Sequence, residues 1–389
     1  MTHVTLLAVI YLAFVSLGLP DSVLGVAWPA MRLTFREPLQ SAGLVTFILT
    51  LSSAISSFAS AAVLRRLGVG MVVTISGGLT GFALLGFALA PSFGWILLLT
   101  VPLGLGAGSV DAGLNHFVAE HYSSRHMNWL HGCWGIGATI GPFIMGSALA
   151  GVAGWQSGYY TIALIQLALS LLFLLTLGLW KRERTVASPE ADEADKAARR
   201  VLTGSFASWA PWLAPCLYLV YATVEIGTAL WAASILVEHR QLDAPTAGVW
   251  VACFFGAIMV GRFAVGMVAV RLGNRKLVRW GLLIAITGAV LFSLDGLPAP
   301  LSLGGLILMG LGCAPVFPSL MHETMRRFDP ATARTVVGRQ VAFAYVGASL
   351  GPAGLGLIGA TFGLASIMPT IVVGLVLLLL LSVWLDRVT

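Results

Sequence analysis

Gly137-Ala138-Thr139-Ile140-Gly141-Pro142 returns 210 residues later as Gly347-Ala348-Ser349-Leu350-Gly351-Pro352. Two further pairs run in the same order at nearly the same offset. Arg66-Leu67-Gly68 recurs as Arg271-Leu272-Gly273, and Gly104-Leu105-Gly106 recurs as Gly310-Leu311-Gly312. One glycine match would carry little weight, but three colinear matches at a near-constant offset mark a parallel internal repeat.

The chain around these motifs is 58% hydrophobic and 10% charged over 389 residues, where a soluble domain carries about 25% charged residues. Apolar runs of twenty or more residues recur along its length, each able to cross a hydrocarbon layer of about 30 Å at a rise of 1.5 Å per residue. Twelve such runs are predicted, six in each repeat. The expected fold is therefore an all-α polytopic membrane protein with twelve transmembrane helices in two six-helix bundles. Residues 1–180 form the amino-terminal bundle, 181–204 a charged cytoplasmic linker containing Ser188-Pro189, and 205–389 the carboxy-terminal bundle. Met1 to Arg32 lacks a basic n-region and a small-residue cleavage site, so it reads as an uncleaved first span.

With the amino terminus in the cytoplasm, eighteen of the 22 Lys and Arg residues fall on the cytoplasmic side and only Arg32, Arg36 and Arg240 on the other. Basic residues are retained on the cytoplasmic side, so both termini are expected there. The expected location is the inner (plasma) membrane of a bacterium. The formal charge of +6 thus orients the chain and does not mark a nucleic-acid surface. Cys133, Cys216, Cys253 and Cys313 lie in apolar runs without metal-ligand spacing and read as small packing residues. His116, His121, His126 and His131 recur every five residues, which is about 140° net around a helix, so they do not converge on a metal. No metal or cofactor is expected.

A charge in the middle of a span costs about 2.5–3.5 kcal/mol and asks for a function or a partner. Four are present: Asp21, Asp111, Glu225 and Arg262. Asp111 lies near the midplane of the fourth span, with Gly108 and Asn115 on its helical face. Asp21 follows Pro20 in the first span, with Gly25 and Trp28 on one stripe. Glu225 shares a face of the seventh span with Tyr218, Tyr221 and Thr228. Carboxylates and amides hydrogen-bond hydroxyl groups, and aromatic faces stack on sugar-like C–H surfaces. Asp21, Trp28, Asn115, Tyr218, Tyr221 and Glu225 are therefore candidate substrate contacts, joined by Phe317, the repeat counterpart of Asp111. A carboxylate in low dielectric can exchange a proton near neutral pH, which makes Asp111 and Asp21 the candidate proton-coupling groups. His131 and Trp134 near the cytoplasmic end of the fifth span, and Arg262 in the eighth, are candidate gate residues. Cys313-Ala314-Pro315-Val316-Phe317-Pro318 predicts a kink in the tenth span.

These residues give the chain its likeness to a known family. Gly18-Leu19-Pro20-Asp21, the run from Gly104 through Asp111 to Asn115, the run from His131 to Gly141-Pro142, and Tyr221 through Glu225 to Trp231 resemble the major facilitator superfamily, and within it the fucose permease-like sugar and proton symporters. The resemblance implies the major facilitator fold, substrate and proton roles for Asp21 and Asp111, and alternating access between two bundles. The fourth-span acid is an aspartate where that group commonly has glutamate. The expected activity is secondary active transport of a sugar or polyol with protons, by a monomer in the bilayer. A proton-driven exporter of amphipathic drugs or metabolites and a lipid flippase are the alternatives. A sensor or enzyme is disfavoured because the sequence has no output domain and no Ser-His or paired-acid signature.

Overall fold

The computed structural model describes residues 2–122, 124–180 and 209–389, so the linker expected at 181–204 lies outside the described residues. The first span is a pair of helices, Thr2–Asp21 (α1) and Val23–Phe35 (α2), separated by Ser22 just after Pro20. Ser41–Leu67 (α3), Val69–Ala88 (α4), Phe93–His121 (α5), Ser124–Leu149 (α6) and Gly154–Leu175 (α7) follow, with Leu177–Trp180 (α8) as a short extension. After the linker come Ala210–Ser234 (α9), prolonged by a π-helical turn at Ile235–His239, and then Ala244–Leu272 (α10) and Asn274–Ser293 (α11). The tenth span is again a pair, Ala299–Cys313 (α12) and Val316–Arg327 (α13), and Pro330–Phe362 (α14) and Ile367–Val388 (α15) complete the chain. Twelve spans are long and apolar enough to cross a membrane. The break between α12 and α13 falls at Ala314-Pro315, where the two prolines predict it.

The described residues form two compact units. One contains the helices up to Trp180 together with Ala232–Ala252; the other contains Trp209–Trp231 and Cys253–Thr389. In the first, α1 lies along α6, α3 against α5, and α4 between α5 and α7. In the second, α11 packs on α12 and α15, and α13 on α14.

The repeated motifs record helix crossings. Gly137 and Gly141 of α6 lie directly on the backbone of α1 at Val15 and Leu19, and a Cβ at Gly137 would sit 2.8 Å from the Leu19 nitrogen. Their counterparts Gly347 and Gly351 of α14 lie on Leu219 and Thr223 of α9, where a Cβ at Gly347 would sit 2.9 Å from the Leu219 carbonyl carbon. The second pair repeats the pattern. Gly104 and Gly106 bring α5 onto α3 at Leu49 and onto α4 at Ser76, while Gly310 and Gly312 bring α12 onto α10 at Phe254 and onto α11 at Ala285. Small residues allow this approach, and in lipid such close packing is a main source of helix association. The third pair ends a helix: Gly68 and Gly273 both have φ +78°, a conformation that glycine adopts without steric cost.

Residues 232–252 belong with the amino-terminal unit because two contacts hold them there. Arg32 Nε donates to Glu238 Oε1 at 2.7 Å, and its Nη2 donates to Oε2 in a second bond. Gly146 of α6 meets Gly248 of α10 backbone to backbone, so that a Cβ at Gly248 would lie 2.7 Å from the Gly146 Cα.

Adding a methyl group at a backbone crossing overpacks it by about 1–3 kcal/mol. Gly137→Ala and Gly347→Ala are each expected to lower the apparent Tm of the detergent-solubilised protein. Gly354→Ala in α14, where a Cβ meets nothing within 4 Å, should leave it unchanged; equal losses at all three positions would show that the crossings are not special. For Arg32 and Glu238, a double-mutant cycle with Arg32→Gln and Glu238→Gln is expected to give a coupling energy of about 0.5–3 kcal/mol, and additivity would refute a direct pairing.

Candidate functional site

Pro20 has no N–H to continue the helix, and α1 ends one residue later at Asp21. The turn is held from α6: Ser22 Oγ donates to the Ala138 carbonyl at 2.8 Å, and Trp134 Nε1 donates to Asp21 Oδ2 at 2.8 Å. Asp21 is exposed on the surface of its unit, and Trp134 is half-buried beside it. The pairing presents a carboxylate and an indole face at one place. It joins one expected proton-coupling residue to one expected gate residue.

Asp111 lies two-thirds of the way along α5 and is half-buried. Asn115, one turn on, donates from Nδ2 to Asp111 Oδ1 at 2.9 Å. The Asn115 Oδ1 is buried and has no hydrogen-bond partner among the described residues. Asp21 lines a cavity whose α5 wall, Ala107 and Val110, adjoins Asp111. Gly108 does not share the surface of Asp111 and Asn115, because it is pressed against the backbone of Ser53 in α3. The structure therefore brings Asp21, Trp134, Asp111 and Asn115 into one region of the amino-terminal unit.

A cavity opens beside this region between α1, α3, α4, α5 and α7. Its polar lining is Asp21, Ser16, Ser76, Thr80 and Gln166, and α5 contributes Gly106, Ala107 and Val110 but not Asp111. Gln166 carries no charge and sits in an otherwise apolar run, so the only signal of it in the sequence is an amide in the middle of a membrane helix.

Trp28 stands apart from this group. It is fully buried, its Nε1 donates to the Leu39 carbonyl at 2.9 Å, and its ring packs on Phe93. The stripe that joined Asp21 to Trp28 does not form one surface, since Asp21 is exposed whereas Trp28 is enclosed. His131 is half-buried and packs edge-on against Phe14, with ring centroids 5.7 Å apart.

In the carboxy-terminal unit the expected substrate contacts hold the broken tenth span together. Tyr221 Oη donates to the Cys313 carbonyl at 3.0 Å, and Tyr218 Oη donates to the Phe317 carbonyl at 2.8 Å. The last carbonyls of a helix lack intrahelical donors, and Tyr221 supplies one to the end of α12. Both tyrosines are buried, and their rings lie against Phe317, which stays partly exposed. Glu225, the expected substrate contact, is paired with the expected gate residue: Arg262 Nη2 lies 3.3 Å from Glu225 Oε1, and both side chains are largely buried. Tyr218, Tyr221 and Glu225 are thus committed to protein partners, and Arg262 has the carboxylate that a charged residue at this depth requires. Among the described residues no group of three or more His, Cys, Asp or Glu side chains could hold a metal ion.

Sequence analysis also missed a charge cluster in this unit. Arg275, Arg279 and Arg327 converge on Asp386, and Arg275 also reaches Glu323 at 3.0 Å. These residues sit in the terminal turns of α11, α13 and α15, where charges at a span end are ordinary and do not stand out.

Comparison with known proteins bears on the whole chain. The profile of the Major Facilitator Superfamily matches residues 10–352 and 216–389. The chain is 27% identical over 359 residues to the uncharacterized transporter y4wD of Sinorhizobium fredii, covering 85% of both proteins. It is 25% identical over 238 residues to the glucose/mannose transporter GlcP of Bacillus subtilis, a match that spans 60% of this chain and 58% of that transporter. Among solved structures, a bacterial homologue of the human lysosomal transporter Spinster superposes with a TM-score of 0.82 at 15% identity, covering 100% of this chain and 97% of the other. A variant of the nucleoside transporter NupG gives 0.77 at 14% identity, covering 97% and 98%. The repeat, the twelve spans and the profile agree, and the chain belongs to the Major Facilitator Superfamily of membrane transporters.

Proposed function

We propose that this transporter takes up a hydroxylated solute, a sugar or a polyol, together with protons, by alternating access in a bacterial inner membrane with both termini in the cytoplasm. The observation that carries this reading is the grouping of Asp21, Trp134, Asp111 and Asn115. A carboxylate beside an indole face suits a solute that offers hydroxyls on its edge and C–H groups on its face. The likeness to a glucose/mannose transporter supports the same solute class.

The Asp111–Asn115 pair supports proton exchange on chemical grounds. An ionised Asp111 accepts from the Asn115 amide and leaves the amide oxygen without a donor. A protonated Asp111 gains an O–H that can serve such an oxygen. Loading a proton therefore removes a charge from the low-dielectric interior and supplies a missing donor in one step. Glu225 differs in that its partner is the Arg262 guanidinium. The carboxy-terminal unit contributes Phe317 and an ion pair, and proton exchange is confined to the amino-terminal unit.

Proteoliposomes given glucose, mannose, fucose or mannitol should accumulate at least one of them when the pH inside is one unit above that outside. One proton per solute permits accumulation of up to about tenfold, since one pH unit is about 1.36 kcal/mol. Asp111→Asn is expected to keep exchange of solute across the membrane but lose accumulation, and Asp21→Asn to lose both. Accumulation by Asp111→Asn at the wild-type level would overturn its proton role, and pH-driven loss of solute from loaded vesicles would favour the exporter.

A further inference from the structure

The residue-20 amide would ordinarily bond the Ser16 carbonyl one turn earlier, and proline has none. In the membrane interior a free carbonyl finds no water and must be satisfied by protein. Gln166 of α7 satisfies it: its Nε2 donates to the Ser16 carbonyl at 2.6 Å, and its Oε1 accepts from Ser16 Oγ. Both ends of the amide are thus spent on one residue of α1, and Gln166 is only 1% exposed. Beyond the break, α6 takes hold at Ser22 and Asp21. The segment carrying Asp21 is therefore held before the break by Gln166 and after it by α6, and Ser16, Pro20, Asp21 and Gln166 all line the cavity.

We propose that Gln166 is a positioning residue for proton exchange at Asp21. It fixes the turn at Pro20 and so presents the carboxylate to the Trp134 N–H, without itself touching solute. The inference rests on Asp21 being a proton-exchanging group. The titratable and charged groups described on the elements packed against α1 are Arg32 on α2, Asp111 and His121 on α5, His126, His131 and Cys133 on α6, and Tyr159 and Tyr160 on α7.

The test reads Asp21 directly, by infrared titration of the full-length protein in nanodiscs. The protonated-carboxyl band that vanishes in Asp21→Asn belongs to Asp21, and its midpoint is followed against pH. In Gln166→Leu the midpoint is expected to move by at least about half a unit, a threefold change in proton affinity. Gln166→Leu also leaves the Ser16 carbonyl unbonded, so it should lower the apparent Tm. Pro20→Ala restores an N–H for that carbonyl, so adding it should recover the Tm while leaving the midpoint displaced. This double variant also serves if Gln166→Leu alone does not fold. A lower Tm with an unchanged Asp21 midpoint would reduce Gln166 to a packing role and overturn the proposal alone. A wild-type protein with no titrating Asp21 band would remove the proton reading of Asp21 and the proposal with it.

Discussion

Backbone polar groups in a bilayer have no water to turn to, so each interruption of a helix in this fold has to be closed by a side chain from a neighbour. Two closures stand out. Gln166 takes the Ser16 carbonyl one turn before Pro20, and Tyr221 takes the Cys313 carbonyl at the end of α12, while Tyr218 adds a bond to the Phe317 carbonyl in the first turn of α13. The first and tenth spans are the broken ones, and each is broken where it carries an expected site residue, Asp21 or Phe317. Hydrogen bonds that look like chemistry from the sequence are largely the repair of these interruptions.

That distinction explains what could be read from the sequence. The fold was legible because glycine spacing records close crossings: Gly137 and Gly347 recur since α6 must lie on α1 and α14 on α9. The carboxylates within the spans were legible because a charge in the middle of an apolar run is conspicuous. Their surroundings were less so. Trp28 was placed beside Asp21 by helical periodicity alone, and Tyr218 and Tyr221 were read as ligand contacts because nothing in their spacing reveals a carbonyl nearly a hundred residues away. Gln166 escaped because an uncharged amide costs hydropathy little, although it holds the turn on which Asp21 sits. The Arg32–Glu238 pair lies at span ends, where charges are ordinary.

The two units use one scaffold for different electrostatics. In the amino-terminal unit the carboxylates meet neutral donors, the Trp134 indole and the Asn115 amide. In the carboxy-terminal unit Glu225 meets the Arg262 cation. Two bundles with the same crossings thus differ in whether an interior carboxylate is paired with a neutral donor or with a cation.

The backbone crossings at Gly137 and Gly347 also bear on ancestry. A joint made by two main chains depends on the absence of a side chain at one point and on little else, so neighbouring positions can change character without disturbing it. Asp111 in one half corresponds in the repeat to Phe317 in the other, at matching places between unaltered joints. Duplication of a six-helix unit, with its hinges inherited and its ligands rewritten, leaves this signature.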